Sequence, residues 1–185
     1  MKVLRKAYCL FFICQLLTAA NGNGQSPSLQ NASLKSENSS ANGSPVFDIP
    51  DPVGFVSDFE NLFSRSEIQT LDSIIMDFNK KSSIQIVILT IDTLMIHGKQ
   101  MNDFSRQTFK SWGLQATGGQ NGILISLSLA YKNIRIETGS GVEQVLSDND
   151  KREIIETAFI PSLTGSKYYK ATYDGLAAII YKLKL

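Results

Sequence analysis

Asp58, Asn121, Gly139, Glu143 and Asp148 are the positions in this chain whose oxygen atoms suit a definite chemistry, the binding of a hard divalent cation. Carboxylate, amide and main-chain carbonyl oxygens are what Ca²⁺ takes, about six to eight of them in tolerant geometry, and Mg²⁺ takes the same donors more strictly. Asp58 ends an expected first strand. Asn121-Gly122 opens an expected hairpin, and the loop from Gly139 to Asp148, with Glu143 inside it, closes that hairpin. These loops are expected to meet at one edge of the sheet. The alternative is that Asp58 and Asn121 are turn residues bonded to their own backbone. Asp148-Asn149-Asp150 begins like an EF-hand loop, but its fifth and sixth positions are Arg152 and Glu153, where that loop needs an oxygen ligand and a glycine. The acids suit a helix N-terminus instead.

Other chemistries find less support. Gly139-Ser140-Gly141 follows a strand as a dinucleotide-binding turn would, yet the third glycine of that fingerprint falls on Gln144, so no organic cofactor is expected. Both cysteines, Cys9 and Cys14, lie in the first 20 residues, which leaves the rest of the chain without disulfides, thiolate nucleophiles or cysteine-held zinc. A Ser/His/Asp mechanism would hang on His97, the one histidine, which reads as a surface loop residue. A metal-assisted phosphatase would use the cation to polarise phosphate or activate water. It lacks a dedicated nucleophile and a basic cluster here, since Lys132 and Arg135 near the hairpin read as solvated.

Charge and hydropathy describe an exported chain. Lys2, Arg5 and Lys6 precede an apolar stretch from Ala7 to Leu17, and Thr18-Ala19-Ala20 supplies small residues for cleavage. The stretch is too short to span roughly 30 Å of hydrocarbon. Residues 1–20 are therefore expected to be a signal peptide. Residues 21–45, rich in Asn and Ser, are expected to be a flexible linker, and 46–185 one domain. Of 18 basic and 17 acidic residues, three basic and no acidic ones lie in the first 20, so the remainder holds 15 against 17, or −2. Such a balance gives no footprint for nucleic acid or anionic membrane. No apolar run near 20 residues follows, so no membrane span is expected after signal removal.

The elements that must position these residues read clearly. Phe47 to Pro52 is rigid and extended because each proline fixes its own φ and restricts its neighbour. Val53–Phe59 holds a short strand. Ser64-Arg65-Ser66-Glu67 is a capping box, followed by Ile68, Leu71, Ile74, Ile75 and Phe78 at helical spacing. Ile84 to Ile91 reads as a strand buried on both faces. A helix follows from Lys99 to Trp112, with Met101, Phe104, Thr108 and Trp112 inward and Gly113 as its stop. Ile123–Leu129 and Ile134–Thr138 form the hairpin. Ser147 caps a further helix, with Ile154, Ile155, Ala158 and Phe159 inward and Pro161 ending it. A last helix after Gly165-Ser166 turns Tyr169, Tyr173, Leu176 and Ile180 inward. The fold class expected is a single-domain, three-layer α/β/α sandwich around a small mixed sheet.

Several runs, in this order and spacing, resemble the TPM domain family, whose members include a thylakoid-lumen phosphatase, a photosystem II repair protein and a receptor modulator. They are Ile49-Pro50-Asp51-Pro52-Val53-Gly54-Phe55-Val56-Ser57-Asp58, Ser111-Trp112-Gly113, Asn121-Gly122-Ile123-Leu124, Gly139-Ser140-Gly141-Val142-Glu143, Leu146-Ser147-Asp148 and Ile160-Pro161. The resemblance covers roughly 46–183. Ser140 departs from it, standing where the family has a bulkier residue. The resemblance implies an exported or lumenal location, divalent-cation binding at Asp58 and Asp148 beside the Asn121 and Gly139 loops, and accessory work beside membrane complexes. The expected function is a periplasmic or secreted, monomeric binding or accessory protein that holds Ca²⁺ or Mg²⁺ and partners a membrane or envelope protein complex. The alternatives are a weak metal-assisted acid phosphatase and a purely structural interaction module.

Overall fold

The structure, a computed structural model, describes residues 47–96, 100–115 and 121–184. The expected signal peptide and linker, His97, and Gly118-Gly119-Gln120 lie outside the described residues. The chain runs β1 (Val56–Asp58), α1 (Arg65–Lys81), β2 (Ile84–Thr90), α2 (Thr93–Ile96), α3 (Met101–Ser111), β3 (Asn121–Ser128), β4 (Asn133–Thr138) and α4 (Asp148–Ile154). A π-helical turn (Ile155–Phe159), α5 (Ile160–Leu163) and α6 (Tyr168–Leu183) complete it.

One sheet in the order β1-β2-β3-β4 forms the middle layer, with β1, β2 and β3 parallel and β4 antiparallel to β3. The period-two pattern of the central strands divides their side chains between two cores. Ile86, Ile88, Ile123, Ile125 and Leu127 point to one face, where Leu71, Ile75 and Phe78 of α1 and Leu176 and Ile179 of α6 cover them. Val87, Leu89 and Leu124 point to the other, under Met101, Phe104 and Phe109 of α3. This is the three-layer α/β/α arrangement with a mixed sheet. Since α1 and α3 lie on opposite faces while the strands advance in one direction, the two parallel crossovers have opposite hands, and only one follows the usual right-handed rule.

Local signals account for most element ends. Ser64 and Glu67 close their capping box reciprocally at α1, and Ser147 and Asp150 do the same at α4. Gly113 ends the α3 region at φ 70°, a left-handed value open to glycine. Phe47 is buried edge-on to Phe104, with ring centroids 5.2 Å apart.

Three readings need correction. Pro161 does not stop its helix: the π turn shifts the ladder so that Ile160 N–H donates to the Ile155 carbonyl, and Pro161 then occupies the start of α5, where no N–H is required. Tyr173 faces solvent, because the inward stripe of α6 is Ala171, Thr172, Gly175, Leu176, Ile179 and Ile180. Trp112 is only half-buried, and its indole N–H donates to the Pro50 carbonyl at 2.8 Å, tying the extended entry segment to the end of α3.

Candidate functional site

The ladder separates the expected cation ligands into two groups. Asp58 is in register with Thr90, and Thr90 with Leu127, so Asp58 lies at the carboxyl end of the parallel strands. Asn121 is paired with Ile84 at the amino end. The two rows are six residue steps apart, about 20 Å. The antiparallel β4 runs back, pairing Thr138 with Ile123, and thereby returns Gly139 to the Asn121 end. Asn121, Gly139, Glu143 and Asp148 thus belong to the amino-end loops. Asp58 does not meet them, contrary to the single edge expected from the sequence.

Asp58 is fully engaged where it stands. Its Oδ1 accepts from Leu62 N–H at 3.0 Å and from the Thr90 hydroxyl at 2.7 Å, and its Oδ2 accepts from Phe63 N–H at 2.9 Å. Thr90 in turn accepts from Glu60 N–H. The Glu60 carboxylate receives Leu129 N–H at 3.0 Å and the Ser128 hydroxyl at 3.4 Å. Burial pushes the Glu60 carboxyl upward from its ordinary value, opposed by these hydrogen bonds. This network pins the loop before α1 to the ends of β2 and β3, so Asp58 acts as a turn residue that orders backbone.

The amino end is built by close backbone approach. Gly122 N–H donates to the Leu114 carbonyl at 3.0 Å, and a Cβ on Gly122 would lie 2.5 Å from that oxygen. A Cβ on Gly141 would collide with the Asn121 amide, so glycine is required there for the amide to sit against the turn. The Gly139 carbonyl accepts Val142 N–H at 2.9 Å and Glu143 N–H at 3.2 Å. Asp148 leaves its side chain 88% exposed and pairs with Lys151 at 2.7 Å, and Lys151 also donates to the Thr138 hydroxyl at 3.1 Å. The hydrogen bond from Lys151 and then its charge hold the Asp148 carboxyl below the usual carboxylate range, with Arg135 and Arg152 adding to the effect.

Two further ion pairs lie on α4, α6 and β4. Lys182 binds Asp150 at 2.8 Å, and that contact, with the Ser147 hydroxyl and N–H, lowers the Asp150 carboxyl to about 2. Further along β4, opposite Ser126 and Leu124, Arg135 binds Glu137 at 2.6 Å. Among the described residues no group of three or more His, Asp or Glu side chains gathers tightly enough to hold a metal by themselves. A cation at this end would rest on Asp148 and Glu143 together with amide, carbonyl and water oxygens. Sequence reasoning missed Lys151 and Lys182. The i,i+3 spacing of Asp148 and Lys151 was the available signal for the first. The second is a tertiary contact with no local signature.

Residues 56–182, more than half of the chain, match the model of the TPM domain. Among solved structures, the N-terminal domain of a protein from P.gingivalis is similar at TM-score 0.63, with 22% identity over 74% of this chain and 89% of that one. The BA42 protein from the psychrophilic bacterium Bizionia argentinensis is similar at TM-score 0.58, with 21% identity over 68% of this chain and 83% of that one. At these identities the likeness is one of fold. No curated protein matches the chain.

Proposed function

This chain belongs to the TPM domain family, and on that footing we propose that it is an exported accessory domain that binds a divalent cation at the amino-end loops and serves a membrane or envelope protein complex. The observation that carries the cation reading is the gathering of Asn121, Gly139, Glu143 and Asp148 at one end of the sheet. Asp148 is the anchor. Its partner Lys151 already places a positive charge where a divalent ion would bind, so metal and ammonium compete for one carboxylate. Two exposed carboxylates, Asp148 and Glu143, with neutral oxygens otherwise and an ammonium competing for the first, belong to the weak end of Ca²⁺ affinities, on the order of a millimolar.

Binding is preferred over phosphoester turnover because most basic side chains near Asp148 are engaged, Arg152 alone standing outside the ion pairs among the described residues. Lys151, Lys182 and Arg135 are paired with Asp148, Asp150 and Glu137, which leaves none of the three to cradle a phosphoryl group. The cation reading is tested by thermal unfolding of the full chain in chelator and then in about 10 mM Ca²⁺, roughly ten times such a dissociation constant. We expect stabilisation of about 1.4 kcal/mol, a rise of about 5 °C in Tm for a domain of this size. An unchanged Tm would remove the cation from the proposal.

Export rests on the basic start, the short apolar stretch and Thr18-Ala19-Ala20. N-terminal sequencing of the product recovered outside the cytoplasm should begin at Asn21. Recovery of the uncut chain in the cytoplasm would contradict it.

A further inference from the structure

At the carboxyl end of the sheet, away from the cation loops, a groove of about 520 Å³ runs between the β3–β4 turn and the α5–α6 corner. Its walls include Leu62, Leu129, Ile134, Ile160, Leu163 and Tyr168. The volume falls within the range of small-molecule sites, about 300–1,000 Å³. Leu129 and Ile160 of its lining remain 42% and 44% exposed, so the apolar surface continues onto the rim.

Two further observations single this groove out. The first concerns the backbone. The non-glycine residues with positive φ among those described are Asn61 (55°), Lys132 (47°) and Ser166 (56°). Lys132 and Ser166 line the groove, and Asn61 precedes its wall residue Leu62. Left-handed backbone in non-glycine residues is unfavourable and concentrates where a chain must hold a particular shape, ligand clamps among them. The second concerns charge. Lys132 is the only charged residue lining the groove, and no acid lines it. Lys132 takes part in none of the ion pairs among the described residues, nor does Lys167, which stands between the lining residues Ser166 and Tyr168.

Glu60 and Asp58 stand behind the wall, their carboxylates taken up by Ser128, Leu129 and Leu62, so the one charge on the lining is that of Lys132. An apolar trough whose lining carries one unpaired cation complements a molecule with one long apolar part and one negative charge. We propose that this groove binds a single-chain amphiphile with an anionic head group, taken from solution, its chain lying along the apolar walls and its head group paired with Lys132. The cation proposal and this one are independent, since they use opposite ends of the sheet.

Equilibrium dialysis of the full chain with labelled dodecanoate, below its micelle concentration, tests the assignment, with dodecyltrimethylammonium as the probe of opposite charge. We expect saturable binding of one dodecanoate per chain, with the cationic probe at least about tenfold weaker. Lys132→Glu should weaken dodecanoate by about tenfold or more while Lys132→Arg retains it, a tenfold change being about 1.4 kcal/mol. Ile160→Glu, at an exposed wall position, should also lose binding with an unaltered melting curve, which guards against misfolding of the Lys132 variants. Equal retention of the two probes, or undiminished binding by Lys132→Glu, would overturn the charge assignment. Retention of neither probe would overturn the proposal and leave the groove to a polypeptide partner.

Discussion

Replacing Gly175 with alanine should lower the Tm by about 7 °C, a loss of about 2 kcal/mol at this domain size. Helix propensity argues the other way, because Ala in the middle of a helix is favoured over Gly by about 1 kcal/mol. Packing decides the sign. A Cβ on Gly175 would overlap the Cε2 and Cζ atoms of the Phe159 ring. Phe159 is completely buried and belongs to the π turn. The ring has no free volume to enter in a close-packed core, and overpacking of this kind costs about 1–3 kcal/mol or more. The same contact predicts strong coupling: Gly175→Ala combined with Phe159→Leu should cost less than the sum of the two single changes. Thermal or urea unfolding of the four proteins measures it. A stabilised Gly175→Ala variant would mean that the π turn and α6 are not packed as described.

Asp58→Ala should destabilise the fold by about 3 kcal/mol, while Asp148→Ala should leave stability in chelator nearly unchanged. The first removes the acceptor of two backbone N–H groups and of the fully buried Thr90 hydroxyl. Hydrogen bonds to a charged acceptor contribute about 1.5–3 kcal/mol each when their donors are left without a partner, and water entering the partly buried loop recovers a share of the sum. Asp148 is exposed and its pair with Lys151 is an i,i+3 surface contact, a class that contributes little. Asp58→Asn, which keeps one acceptor oxygen, should fall between wild type and Asp58→Ala. Equal effects of Asp58→Ala and Asp148→Ala in chelator would mean that Asp58 does not order the loop before α1.

Much of the fold was legible because its signals are local. The capping box of α1, the cap of α4 at Ser147, the β-branched run of β2, the hairpin of β3 and β4 and the glycine after α3 each act through neighbouring residues, and the structure places them as expected. Features that depend on distant partners were not legible. Pro161 ends a regular helix but not one whose ladder has shifted by a π turn. Tyr173 fits helical spacing with Tyr169, yet the close approach of Phe159 to Gly175 rotates the buried stripe of α6 away from it. The four-residue α2 is too short to carry a period.

The division of the candidate site has a different cause. A helix separates the strand holding Asp58 from the Ile84–Ile91 strand, and a helical crossover makes neighbouring strands parallel. That alone sends Asp58 to the carboxyl end and Asn121, at the start of β3, to the amino end. The information was present in the order of elements, but oxygen-bearing residue types taken one by one do not express it. Lys151, which now defines the competition at Asp148, is buried to 13% side-chain exposure by contacts that follow from the third dimension.

The proposed cation site lies at the amino-end loops and not at Asp58. Amide chemical shifts of the ¹⁵N-labelled full chain during a Ca²⁺ titration test this most directly. Saturable shifts are expected at Asn121, Gly139, Glu143 and Asp148, with Asp58, Glu60 and Leu129 unmoved, and the response should be lost in Asp148→Ala. Shifts centred on Asp58 and Glu60, or a response at Asn121 and Gly139 that survives Asp148→Ala, would contradict the assignment.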